Sequence, residues 1–205
     1  VQARPERWLP GRRGAEEETI RAFFALSLPD SVRRELSRVQ DLWRERIPRV
    51  NWTAPRNFHL TLRFLGNIDP ALVEPLAGLL TDVVAARGPL GGRLEEVGAF
   101  PGDHRPRVLW VGVENPILAE VAESLELRLA EYGFPRERRP WRSHITLGRI
   151  RRQGKGVHMA GVDIIDQALT RLSFTFSGAH LMASTLTPSG PIYHPLASVE
   201  WGTSP

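Results

Sequence analysis

The chain has 205 residues, 41% hydrophobic and 24% charged, the balance of an ordinary soluble domain with one substantial core or two small lobes packed as a unit. It has no cysteine, which rules out disulfides and thiolate metal sites, and no apolar run approaches membrane-spanning length, so a cytoplasmic protein is expected. The 27 basic residues outnumber the 23 acidic for a net charge of +4, and all but Lys155 are arginine, which suits bidentate phosphate contacts but also follows from GC-rich coding, so charge alone selects no partner.

Residues 1–20 are rich in charge, Pro and Gly without periodicity, and a mobile extension is expected there. Residues 21–205 are expected to form one bilobal domain. Arg21 to Leu28 (RAFFALSL) reads as a buried strand, and Pro29-Asp30 opens a helix with Val32, Leu36, Val39 and Trp43 on one stripe. A Pro-marked loop leads to a strand holding His59 and Thr61. Asp69-Pro70 opens a further helix carrying Leu72, Val73, Leu76, Leu80 and Val84, and Gly88 to Gly92 reads as a turn. Arg107 to Val113 is another buried strand. After Pro116 a helix places Ile117, Val121, Leu125 and Leu129 on one stripe and stops at Gly133. A second Pro-marked loop precedes the strand with His144 and Thr146. Beyond Arg151 a short loop and a helical stretch lead to strands near 174–186 and 192–200, joined at Pro188-Ser189-Gly190.

The order strand, helix, loop, His-x-Thr strand thus occurs twice. The histidines of His59-Leu60-Thr61-Leu62 and His144-Ile145-Thr146-Leu147 are 85 residues apart, and the leading strands begin 86 apart, which points to a duplicated unit. In a strand alternate side chains share a face. Each His therefore lies beside its Thr: Phe58, Leu60, Leu62 and Phe64 read as an apolar face, and His59, Thr61 and Arg63 as a polar one. A lone His-x-Thr is common by chance, whereas two in matched repeats are not.

Imidazole serves as acid or base near neutrality. Displacement at phosphorus needs a base for the nucleophile and an acid for the departing oxygen, on opposite sides of an in-line centre. Two lobes facing each other would supply that placement, and threonine hydroxyls on the same face can donate to the non-bridging oxygens. Such chemistry requires no metal and no cofactor, and its pH dependence is expected to be bell-shaped.

With its two motifs, and with FFALSLP at 23–29, GAFPGDHRPRVLWVG at 98–112, GFPRERRPWRSHITLGR at 133–149 and STLTPSGPIYHPL at 184–196, the chain resembles the two-histidine phosphoesterase superfamily, and within it the RNA 2′,3′-cyclic phosphodiesterases, also known as 2′-5′ RNA ligases. The resemblance implies an α+β bilobal fold, two pseudosymmetric lobes with antiparallel sheets around a central cleft and helices outside. It also implies hydrolysis of a terminal RNA 2′,3′-cyclic phosphate to a 2′-phosphate, with weak reverse 2′-5′ ligation. His144 would be the base and His59 the acid, roles that could be exchanged, with Thr61 and Thr146 holding the phosphate. The family often carries an arginine five residues after the second His, here Arg149. An unbroken strand would turn Arg149 away from His144, a conflict that a bulge at Gly148 would resolve.

Phe23 shares a strand face with the small Ala25 and Ser27 and is a candidate for stacking on a base, with core packing the competing reading. Trp52, Trp110, Trp141 and Tyr193 read as packing or loop residues, and His104, His158, His180 and His194 lack metal-ligand spacing. The expected partners are RNA ends with a 2′,3′-cyclic phosphate or small cyclic nucleotides, without membrane or obligate protein partner, the chain acting as a monomer. The competing readings are a cyclic phosphodiesterase for small nucleotides and a nucleotide or RNA 3′-end binding module without turnover. A metal-dependent hydrolase fits least, because no carboxylate or His cluster with ligand spacing accompanies the motifs.

Overall fold

The apolar run that opens the first repeat forms a central strand, β1 (Ile20–Ser27), whose Ala22 to Leu26 are all nearly inaccessible to solvent. In this computed structural model, which describes residues 18–102, 106–151, 166–188 and 190–201, the elements that follow are α1 (Asp30–Arg44), β2 (Val50–Trp52), β3 (His59–Ile68), α2 (Val73–Ala85), β4 (Gly91–Phe100), β5 (Val108–Glu114), α3 (Pro116–Leu129), β6 (His144–Ile150), β7 (Ser173–Thr175), β8 (Gly178–Thr187) and β9 (Gly190–Glu200). The helical stretch expected after Arg151 lies largely outside the described residues, as do His104, His158 and most of the expected N-terminal extension.

The described strands run in the order β7-β4-β5-β6-β3-β1-β8-β9, with β2 also on β6, and every pairing among them is antiparallel. Two halves, β3-β1-β8-β9 and β7-β4-β5-β6, meet at β3 and β6 through the rung Leu60↔Ile145. The sheet is curled into a half-barrel, with each motif histidine opening a strand at the seam.

The helix stripes fold as their spacing dictates. Val32, Leu36, Val39 and Trp43 of α1 are fully buried, and Leu76, Leu80 and Val84 of α2 nearly so. In α3 the buried stripe is Leu118, Val121, Leu125 and Leu129, while Ile117 is 41% exposed. Asn115 explains the offset: its side chain accepts from the Ile117 N–H (2.9 Å) and holds that first turn at the surface. Gly133 takes the left-handed conformation (φ 82°) expected of a helix stop. The Gly88–Gly92 turn is shorter than expected: Gly88 turns at φ 66°, but Gly91 and Gly92 already begin β4. A side chain at Gly92 would collide with Val113 of β5 at 2.7 Å, so glycine here permits close strand approach.

Two bulges set the functional face. In β6 the register passes from Trp110↔Thr146 to Leu109↔Gly148, leaving Leu147 as an extra residue. In β3 it passes from Ala25↔Thr61 to Phe24↔Arg63, leaving Leu62 extra. Both fall immediately after the motif threonine. The Leu147 carbonyl accepts from Thr53 N–H and from the buried Gln40 side chain of α1, both at 2.8 Å. At Gly148 any Cβ would lie 2.6 Å from Val50.

Candidate active site

The bulges reverse the expected parity beyond each threonine. Arg149 is exposed and its charge reaches both motif histidines, the placement that a bulge at Gly148 is expected to allow. In β3 the same slip overturns the simple alternation. Phe64, expected on the apolar face, is 53% exposed and meets Phe23, ring centroids 5.8 Å apart. Arg63, expected on the polar face, turns toward α3 and donates to Glu126 at 2.6 Å. A single extra residue flips every later side chain to the other face.

Each histidine is aimed by the backbone two residues before it. His59 Nδ1–H donates to Asn57 O and His144 Nδ1–H to Arg142 O, both at 2.7 Å. That fixes the tautomer and leaves Nε2 as the reactive nitrogen of the neutral ring. Thr61 Oγ1 lies 3.1 Å from His59 Nε2, so its hydroxyl donates there. The turn carrying Asn57 is held by Arg33 of α1, which donates to Leu28 O (3.1 Å), Pro55 O (2.9 Å) and Phe58 O (3.1 Å). Asn57 Nδ2 in turn donates to Pro191 O of β9 (2.9 Å).

Both histidines are poised to stay neutral. Burial pushes His59 down to about 4, assisted by the charges of Arg33, His144 and Arg149 and opposed by the Asn57 carbonyl. His144 is lowered too, by burial first and by Arg149 and Arg142 next, against the pull of the Arg142 carbonyl. Because the His59 pKa is lower folded than unfolded, the unfolded chain takes up a proton that the native state refuses. Stability is expected to fall as pH drops from about 6.5 toward 4, by roughly 3 kcal/mol from His59 alone. Urea unfolding of wild type and His59→Asn across that window checks this, since the variant should lose that share of the slope and an unchanged slope would contradict it.

The two halves differ where they face the threonines. Opposite Thr146 stands Trp110, 3% exposed, stacked on Phe100 (5.0 Å between centroids) and covered by the Arg142 guanidinium at 4.5 Å. Gly98 makes room for it, since a Cβ there would lie 2.4 Å from the indole. Opposite Thr61 stands Ala25, and beside it a cavity of about 330 Å³ opens against His59, Phe23, Ser27, His180, Met182 and Tyr193. Phe23 is 2% exposed at its edge, 5.0 Å from the His59 ring and 5.1 Å from that of Tyr193.

The two motif strands meet at the rung Leu60↔Ile145, Thr61 lies beside His59, and the charges of His144 and Arg149 reach His59. Sequence reasoning does not single out Tyr193, Phe64 or Asn57 as site residues. For Tyr193 the signal is its place in a strand, which means little until the pairing partner is known. Phe64 is hidden by the bulge. His180, which reads as ordinary, is held between Ser27 Oγ and Ser198 Oγ, each at 2.9 Å, and lines the cavity.

Comparison with known proteins agrees with this fold and its internal repeat. A family model described as LigT like Phosphoesterase matches the chain twice, over residues 26–110 and 111–193. The chain is 31% identical over 175 residues to the RNA 2′,3′-cyclic phosphodiesterase of Methanothermobacter thermautotrophicus, covering 85% of this chain and 95% of that protein. It is 32% identical over 186 residues to the protein of the same name from Archaeoglobus fulgidus, covering 88% and 100%. Among solved structures, one from Thermus thermophilus superposes with a TM-score of 0.74 at 28% identity, covering 88% of this chain and 97% of that one. Escherichia coli LigT complexed with 3′-AMP superposes at 0.65 and 26% identity, covering 90% and 99%.

Proposed function

The chain belongs to the LigT-like phosphoesterases, and from that premise we propose that it hydrolyses the 2′,3′-cyclic phosphate at the end of an RNA to a 2′-phosphate, using His59 and His144 as an acid and base pair. The observation that carries this reading is the matched aim of the two imidazoles, each held by the carbonyl two residues before it. The names of the relatives point to the same reaction.

The unequal halves support a division of roles. In this hydrolysis the departing O3′ stays on the ribose, while water enters in line from the opposite side. The nucleoside therefore belongs on the acid's side. The cavity lies beside His59, whereas Trp110 fills the corresponding space beside His144. In the proposed step His144 Nε2 takes a proton from water as its oxygen bonds to phosphorus. The P–O3′ bond breaks, and His59 gives its Nε2 proton to O3′. The negative charge of the bound cyclic phosphate restores to His59 the proton that burial otherwise withholds. Thr61 and Thr146 donate to the non-bridging oxygens, and Arg149 balances their charge. Phe23, a candidate for stacking on a base, is buried against His59 and Tyr193 and forms part of the cavity wall, which favours packing over stacking. No metal enters this scheme, and the described residues include no cluster of three His, Asp or Glu that could hold one. With the 5′-hydroxyl of a second RNA in place of water, the same ring opening forms a P–O5′ bond as P–O3′ breaks and leaves a 2′-5′ diester, a weak ligation beside hydrolysis.

The test is phosphorus NMR of the protein in EDTA with an RNA oligonucleotide ending in a 2′,3′-cyclic phosphate and, separately, with a nucleoside 2′,3′-cyclic monophosphate. A 2′-phosphate product is expected from the RNA. An RNA end that is bound yet stays intact at every pH would instead make the protein a binding module.

A further inference from the structure

The segment between α3 and β6 places four arginines within residues 136–142, all exposed. Two are neutralised: Arg136 pairs with Glu123, and Arg142 with Glu96 at 2.5 Å. Arg138 and Arg139 have no acidic partner among the described residues. Their backbone N–H groups donate to the Glu137 carboxylate at 3.0 and 3.4 Å, while Glu126 accepts from the Glu137 N–H at 2.6 Å. The loop is thus shaped by Glu137 and by Glu126 of α3, with the two guanidiniums left to solvent.

The loop is anchored to the catalytic strand. Trp141 Nε1–H donates to Thr61 O at 3.2 Å, and Arg63 Nη2 donates to Pro135 O at 2.7 Å. Arg138 stands three residues before Trp141, so its Cα lies within about 11 Å of the Trp141 Cα, close to the strand that carries Thr61. The turn at Pro55–Asn57, which immediately precedes the His59 strand, is tied to β9 through Asn57 and Pro191. On the Thr61 side of His59, where the loop is anchored, a chain continuing from the terminal nucleoside would meet Arg138 and Arg139.

We propose that Arg138 and Arg139 form the track for the single-stranded RNA preceding the terminal nucleotide, gripping its phosphates and making the enzyme favour polymers over mononucleotides. This rests on the cyclic phosphodiesterase reading. Exposed guanidiniums along a backbone path give affinity without base readout, and each released contact should appear in the salt dependence.

The experiment compares kcat/KM for an eight-nucleotide RNA with a terminal 2′,3′-cyclic phosphate and for a nucleoside 2′,3′-cyclic monophosphate, in wild type and Arg138→Ala/Arg139→Ala, from 50 to 300 mM salt. The double variant should lose about 10-fold on the octamer and keep its mononucleotide activity. Its slope of log kcat/KM against log salt on the octamer should flatten by about 1.4, at about 0.7 per single-strand contact. Equal losses on both substrates, or an octamer slope unchanged from wild type, would overturn the track while leaving the cyclic phosphodiesterase reading intact. If wild type opens neither substrate, that reading falls first.

Discussion

Alanine at His59 or at His144 is expected to lower turnover of a cyclic-phosphate RNA end by roughly 10²- to 10⁴-fold each, the usual worth of a positioned acid or base. The double variant should be little worse than the poorer single one, because groups acting in one transition state do not contribute additively. Steady-state and single-turnover rates in EDTA check both statements. Neither ring is needed to shape the sheet: each opens its strand, and the buried residues are the alternate Leu60, Leu62, Ile145 and Leu147. Thermal unfolding at pH 7 should therefore change little. Losses below threefold for either variant would mean that the matched histidines do not divide the proton transfers.

Filling the first half's cavity should be almost as damaging without touching a histidine. Ala25→Trp reproduces on β1 what Trp110 already does on β5, placing an indole opposite the motif threonine. Stacking a base on a protein surface is worth about 1–3 kcal/mol, so excluding the nucleoside should cost roughly 10- to 100-fold in kcat/KM. Most of that should appear as a raised KM. The reciprocal change, Trp110→Ala, removes a buried ring stacked on Phe100 and should cost stability, about 3–5 kcal/mol. Measured side by side, the two variants separate a binding space from a packed one. Unaltered KM in a folded Ala25→Trp protein would show that the nucleoside sits elsewhere.

Much of this is legible in the residues. The α1 stripe, the duplicated order of elements and the sharing of one face by each His and Thr follow from periods of 3.6 and 2. The fate of residues beyond each threonine does not follow, because a bulge leaves no periodic trace. Gly148 hints at one. Leu62 carries no hint, and so simple alternation puts Phe64 and Arg63 on the wrong faces. The start of β4 is hidden because Gly91 and Gly92 look like a turn, when their function is to let Val113 and Phe174 approach. The difference between Ala25 and Trp110 is plain in the sequence. Its meaning depends on the register that sets each opposite a threonine, which only the folded pairing supplies.

The division of labour is tested most directly with an RNA end whose 3′ bridging oxygen is replaced by sulfur, a leaving group that departs without a proton. On this substrate His59→Ala should recover most of its lost rate, while His144→Ala stays slow because water must still be deprotonated. Rescue of His144→Ala instead, or of neither variant, would contradict the assignment of His59 as the acid.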